Sequence, residues 1–123
     1  MAGLTFRGGI HPYDGKELSK NKEIKEVLPE GELVYPLSQH IGAPAIPIVE
    51  KGARVLAGEK IAKEGGFVSA PIYSSVSGIV KAIEKRRVVS GDNVECIVIE
   101  NDNLYEEAPP INTKKWEEMS KEE

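Results

Sequence analysis

At 123 residues with a formal net charge of −4, the chain is sized for one compact domain burying roughly two-thirds of its unfolded surface, so it needs no disulfide framework. The single cysteine, Cys96, excludes an internal bridge and a multi-cysteine metal site, and fits a reducing cytosol. Charge is uneven: Glu100 to Glu123 holds eight acids against Lys114, Lys115 and Lys121, a balance of −5, which leaves about +1 for the remainder and no clustered basic footprint for nucleic acid.

In chain order, residues 1 to 13 form a glycine-containing arm, Leu4-Thr5-Phe6-Arg7-Gly8-Gly9-Ile10-His11-Pro12, whose paired glycines and proline exclude a helix. Met1-Ala2-Gly3-Leu4 lacks the charged and apolar regions of a secretory signal, and no apolar stretch is long enough to span a bilayer. The chain itself is therefore expected to be soluble. From Asp14 to Glu32 charges alternate around a few apolar anchors, Leu18, Ile24, Val27 and Leu28, which reads as a surface connection.

Between Leu33 and Glu100 lie short apolar runs separated by glycine, proline, serine and asparagine. They are Leu33-Val34-Tyr35, Ile46 to Val49, Arg54-Val55-Leu56, Lys60-Ile61-Ala62, Phe67-Val68-Ser69, Ile79 to Ile83 and Val94 to Ile99. Valine and isoleucine dominate and turn residues punctuate the runs, so the zone predicts an all-β sandwich or small barrel. The basic Lys85-Arg86-Arg87 is expected to be a solvated turn. An internal duplication is visible, because Pro36 to Gly42 parallels Pro71 to Gly78, and Val55 to Gly58 with Ile61 echoes Val89 to Gly91 with Val94. Two interlocking halves closing one core are the logic of a barrel-sandwich hybrid, the architecture of biotinyl and lipoyl carrier domains.

After Glu100 the chain turns polar, with Ala108-Pro109-Pro110 as a stiff spacer and Trp116 as the only large anchor. Ser120-Lys121-Glu122-Glu123 has the form of a capping box, which opens helices, and suggests a chain cut from a longer protein at a helix start. The resulting division is an arm and surface connection over residues 1–32, a barrel-sandwich hybrid over 33–104, and an acidic linker over 105–123.

Few residues carry recognisable chemistry. A swinging-arm carrier needs a lysine at a hairpin tip, and Glu59 to Pro71 resembles the carriers' central segment. Lys63, however, sits beside Gly65-Gly66 without the carriers' Asp-Lys-Ala or Met-Lys-Met triplet, and reads as a solvated turn residue. Gly8-Gly9 and Gly65-Gly66 lack the spacing and strand-to-helix setting of phosphate cradles and are read as tight turns. His11 and His40 have no ligand spacing around them and read as hydrogen-bonding or contact residues. Ser74, Ser75 and Ser77 form no nucleophile constellation. Gln39-His40-Ile41-Gly42-Ala43-Pro44 is the most distinctive stretch. Either it presents contacts from a rigid scaffold, or Gly42 and Pro44 make the turn while His40 pins a neighbouring carbonyl.

Phe6-Arg7-Gly8-Gly9-Ile10-His11-Pro12, Pro36 to Pro44, Gly65 to Pro71 with Ser74 to Gly78, and Ile97 to Asp102 together resemble the N-terminal domain of the Rnf C subunit over roughly residues 4 to 104. The resemblance implies a cytoplasmic subunit, peripheral on the inner face of the cell membrane, in a complex that moves electrons between ferredoxin and NAD while transporting sodium ions or protons. It implies that FMN, NAD and two four-iron clusters belong to following domains, so catalytic, cofactor-binding and metal residues are none in this chain. It points instead to a structural and docking domain. Its partners would be the following nucleotide-binding domain and other Rnf subunits, with no nucleic acid and no membrane insertion. The candidate contacts are Phe6, Gly8, Gly9, His11, Gln39, His40 and Ile41. Alternatives are a lipoyl- or biotin-type carrier, or the equivalent domain of sodium-pumping NADH:quinone reductase or of an amino-acid reductase electron carrier; the Phe6 to Pro12 arm favours Rnf.

Overall fold

The computed structural model describes residues 8–9 and 12–110. A 3-10 turn at Lys16–Leu18 is followed by seven strands: β1 (Glu32–Pro36), β2 (Ile46–Pro47), β3 (Arg54–Val55), β4 (Lys60–Lys63), β5 (Ile72–Tyr73), β6 (Gly78–Arg87) and β7 (Asn93–Asn101). They form two antiparallel sheets, one in the order β1-β7-β6-β3 and one in the order β2-β4-β5. The expected all-β barrel-sandwich hybrid is the fold observed.

The core lies between the sheets and consists mainly of β-branched residues, with Val55, Ile61, Val76, Val80, Ile97 and Ile99 fully buried. β7 is buried continuously from Cys96 to Ile99, so both of its faces are covered there, as an uninterrupted apolar run requires. The β6–β7 hairpin is the longest element pair. Gly91, at φ 93°, supplies the left-handed residue of its turn, which closes through the Val88 N–H to the Asp92 carbonyl oxygen at 2.9 Å. At the other end, Gly78 lets the strands approach: a Cβ there would lie 2.0 Å from the Glu100 carbonyl oxygen.

The two internally similar segments, Pro36 to Gly42 and Pro71 to Gly78, both carry the chain between the sheets. The first leads from β1 to β2 and the second contains β5 and leads into β6. The end of β1, just before the first segment, is linked to the second, because the Tyr35 hydroxyl bonds the Ser75 hydroxyl at 2.8 Å and accepts the Ser75 N–H at 3.2 Å.

Two local expectations are corrected. Lys85-Arg86-Arg87 is not a turn but the end of β6, paired with Glu95, Val94 and Asn93; the turn falls later, where Gly91 permits it. Arg86 remains at the surface and pairs with Glu84 at 2.6 Å. Phe67-Val68-Ser69 is not a strand but the bend of the β4–β5 connection, with Phe67 fully exposed. The Gly65-Gly66 pair before it turns the chain away from β4.

The connection from residue 14 to residue 31 runs over the surface, leaving Leu18, Ile24 and Val27 exposed. It is tied to the body near its end, where the Pro29 carbonyl oxygen accepts from Asn101 Nδ2 at 2.6 Å and from the Tyr105 hydroxyl at 2.7 Å. Past β7 the chain stays attached as far as Ala108. Ala57 donates its N–H to the Glu106 carbonyl and accepts from the Ala108 N–H, both at 2.8 Å. Arg54 clamps the same segment through Asp102 and Glu106.

Candidate functional site

The sequence singles out Gln39 to Pro44 and Gly65 to Pro71 separately; the fold clasps them together. The Ala43 N–H donates to the Val68 carbonyl at 2.9 Å, and the Ser69 hydroxyl donates to the Ala43 carbonyl at 2.9 Å while accepting from the Gly65 N–H at 3.0 Å. Glycine is required by close approach. A Cβ on Gly65 would lie 1.9 Å from the Pro44 carbonyl oxygen, and one on Gly42, which also has φ +91°, would lie 2.1 Å from the Val68 carbonyl oxygen. Gly65 thus serves less as a turn former than as a seat for the neighbouring backbone.

His40 completes the clasp. Its Nδ1 lies 3.0 Å from the Ile41 carbonyl oxygen, which can only accept, so Nδ1 carries the proton and Nε2 is free to accept the Ala70 N–H at 3.2 Å. Both ring nitrogens are therefore engaged within the protein, in the neutral tautomer, and the ring joins the two loops. Gln39 donates from Nε2 to the Pro36 carbonyl at 2.9 Å and holds the start of its loop.

The clasp offers three apolar side chains to solvent. Ile41 is 84% exposed, Phe67 is fully exposed and Val68 is half exposed, on two loops whose backbones are fixed to one another. Ile41 is among the contact residues expected from the sequence. Phe67 and Val68 are not, because an aromatic and a β-branched residue after Gly-Gly read as a strand start; the only cue to a loop is the glycine pair itself.

Phe6 and His11 lie outside the described residues, as does Trp116. Gly8 and Gly9 are exposed, with no atom of the described residues within 4 Å of where a Cβ would sit, and Gly8 has φ +87°.

Lys63 ends β4, opposite Ile46, and the tip beyond it is formed by Gly65, Gly66 and Phe67 instead of a lysine. Cys96 is fully buried, its thiol 3.3 Å from the Val94 carbonyl oxygen. The serines are internal fasteners: Ser74 donates to the Val76 carbonyl at 2.6 Å, and Ser77 donates to Asp102 at 2.7 Å while accepting from the Glu106 N–H at 3.0 Å. The Ser77 hydroxyl, the Leu104 N–H and the Arg54 guanidinium hold the Asp102 carboxyl below the usual carboxylate range. Lys81, hydrogen-bonded to Glu32, lowers that carboxyl likewise. Among the described residues, no group of three or more His, Cys, Asp or Glu side chains could hold a metal ion, and no helix is long and apolar enough to cross a membrane.

Comparison with known proteins gives a consistent result. The family described as the RnfC Barrel sandwich hybrid domain matches residues 4–104. The chain is 44% identical over 107 residues to the C subunit of the Na(+)-translocating ferredoxin:NAD(+) oxidoreductase complex of Acetobacterium woodii, covering 87% of this chain and 24% of that protein. It is 44% identical over 121 residues to the C subunit of the proton-translocating ferredoxin:NAD(+) oxidoreductase complex of Clostridium ljungdahlii, covering 97% of this chain and 26% of that protein. Against the C subunit of the ion-translocating oxidoreductase complex of Vibrio cholerae it is 39% identical over 103 residues, covering 82% and 13% respectively. The chain thus spans about a quarter or less of the length of the curated relatives it matches. With the fold and the matched span in agreement, the chain belongs to the RnfC barrel-sandwich-hybrid family.

Proposed function

We propose that this chain is a non-catalytic docking domain of the C subunit of an Rnf-type complex, whose parent takes part in electron transfer between ferredoxin and NAD coupled to ion transport. The observation that carries the reading is the clasp. Where a carrier domain presents a modifiable lysine, this protein fixes the hairpin to a second loop and exposes Ile41 and Phe67. Apolar side chains on a rigid backbone suit a protein contact, because little ordering entropy is lost when a partner covers them.

The flavin, nicotinamide and iron–sulfur chemistry of the parent belongs in this reading to other parts of the subunit. The partners are the following nucleotide-binding domain and neighbouring Rnf subunits, on the cytoplasmic side of the membrane. The names of the relatives, each the C subunit of an oxidoreductase complex, support this assignment.

The test is a photo-cross-linking phenylalanine analogue placed at position 67 of the full-length subunit, irradiated in the assembled complex. A cross-link from this position to the following domain or to a neighbouring subunit supports docking. A probe that yields only the uncross-linked subunit, while the same probe at an internal control position cross-links, removes the role given to this loop.

A further inference from the structure

The chain enters and leaves the larger sheet at one place. Asn101, buried at the end of β7, donates from Nδ2 to the Pro29 carbonyl at 2.6 Å and to the Tyr105 hydroxyl at 3.3 Å, while its Oδ1 accepts the Asn103 N–H at 2.9 Å. The Tyr105 hydroxyl donates to the same Pro29 carbonyl at 2.7 Å. One carbonyl of the entering segment is thus gripped by two side chains of the leaving one.

Further along, the leaving segment is fastened again. Asp102 accepts the Leu104 N–H at 2.9 Å and the Ser77 hydroxyl at 2.7 Å, the same hydroxyl accepts the Glu106 N–H at 3.0 Å, and the Ala57 carbonyl accepts the Ala108 N–H at 2.8 Å. The backbone between the two sets of contacts is strained. Asn103 and Tyr105, at φ 59° and 52°, are the non-glycine residues with positive φ among the described residues. A bulky aromatic residue is disfavoured in this left-handed region, where its Cβ crowds the following carbonyl, and it stays there only while both sides of it are tied.

We infer that residues 101–108 are a two-state latch that couples the entering segment to the leaving one. Release of the Pro29 carbonyl lets Asn103 and Tyr105 relax to negative φ, which redirects the chain and draws the Glu106 and Ala108 amides off Ser77 and Ala57. A displacement of the surface connection that ends at Pro29 is thereby transmitted to the chain beyond Ala108. The coupling runs both ways, since linkage between two equilibria is reciprocal. It involves neither Ile41 nor Phe67, so it stands whether or not that tip docks.

The experiment is hydrogen exchange and NMR on the 123-residue chain with a substitution at each end of the latch. Tyr105→Phe removes only the hydroxyl that grips Pro29. It should speed exchange of the near Asn103 amide by about fivefold, the loss of one ordinary hydrogen bond, and of the far Ala108 amide by the same factor, with the core amide of Ile97 unchanged. Ala108→Pro removes the donor to Ala57 at the far end and should move the Asn101 side-chain amide resonances toward those of a solvated amide. Arg54→Ala, which frees Glu106 from its 2.7 Å ion pair, is the second far-end variant and should move them the same way. An Ala108 rate unchanged by Tyr105→Phe, or Asn101 resonances unmoved by both far-end variants, would show two independent fasteners and overturn the inference. So would acceleration that includes Ile97, which reports unfolding of the whole domain instead of a local latch.

Discussion

The imidazole of His40 accepts the backbone N–H of Ala70 across 30 residues of sequence, at 3.2 Å. One side chain thus ties the crossing from β1 to β2 to the connection between β4 and β5. His40→Ala should leave the Ala70 amide without its acceptor and cost about 1 kcal/mol. Hydrogen exchange at Ala70 should accelerate while exchange in β6 and β7 stays unchanged. An unaltered Ala70 rate would mean that the Ala43–Val68 and Ser69–Ala43 bonds hold the loops without the ring.

Gly65 and Gly42 are the positions where the clasp tolerates least. Gly65→Ala places a Cβ against the Pro44 carbonyl oxygen, and Gly42→Ala adds a left-handed backbone to a similar clash. Each should destabilise by about 2 kcal/mol or more, read from urea denaturation midpoints. Gly52→Ala is the control. It has φ +88° but nothing within 4 Å of the added carbon, so only the backbone strain of about 1 kcal/mol remains.

Asp102 links stability to pH on the acid side. Its folded carboxyl titrates below the ordinary value, chiefly because Ser77 donates to it, and so it contributes stability above the unfolded value near 4 that is lost as pH falls through the folded value. Ser77→Ala should bring the Asp102 carboxyl back toward the ordinary range in a carbon-detected NMR titration and flatten the acid side of the stability curve. It should also loosen residues 105–108, since the Glu106 N–H loses the same hydroxyl.

Cys96 is fully buried in β7 and should not react with an aromatic disulfide reagent in the native protein. Reaction should begin at the urea concentration where β7 unfolds, so thiol labelling and circular dichroism should give the same midpoint. A thiol titrating well before that midpoint would show that the centre of the larger sheet opens independently.

Much of the fold is legible in the sequence because it rests on patterns that act locally. The β-branched runs at Ile79 to Ile83 and Val94 to Ile99, with glycine and asparagine between and around them, mark two neighbouring strands but not the full length of β6, which continues to Arg87. The errors fall where long-range contacts decide. Arg86 reads as a turn residue until Glu32, from a distant strand, is seen beside it. Phe67 reads as a strand residue because its exposure is fixed by Gly65 seating on Pro44, a contact 21 positions away that no local pattern reveals. The candidate site is half visible in the sequence: Gln39 to Pro44 stands out through its polar groups, glycine and proline, while its partner loop emerges only once the two backbones lie side by side.

In the proposed docking role, the Ile41–Phe67 tip meets a partner in the parent complex. The most direct measurement is assembly and ferredoxin-to-NAD electron transfer of a complex in which the full-length C subunit bears Ile41→Ser together with Phe67→Ser. Both side chains are exposed, so the domain should keep its melting temperature while the altered subunit is recovered poorly with its partners and electron transfer falls with it. A stable, fully assembled and fully active complex with both substitutions would remove the docking role from the Ile41–Phe67 tip.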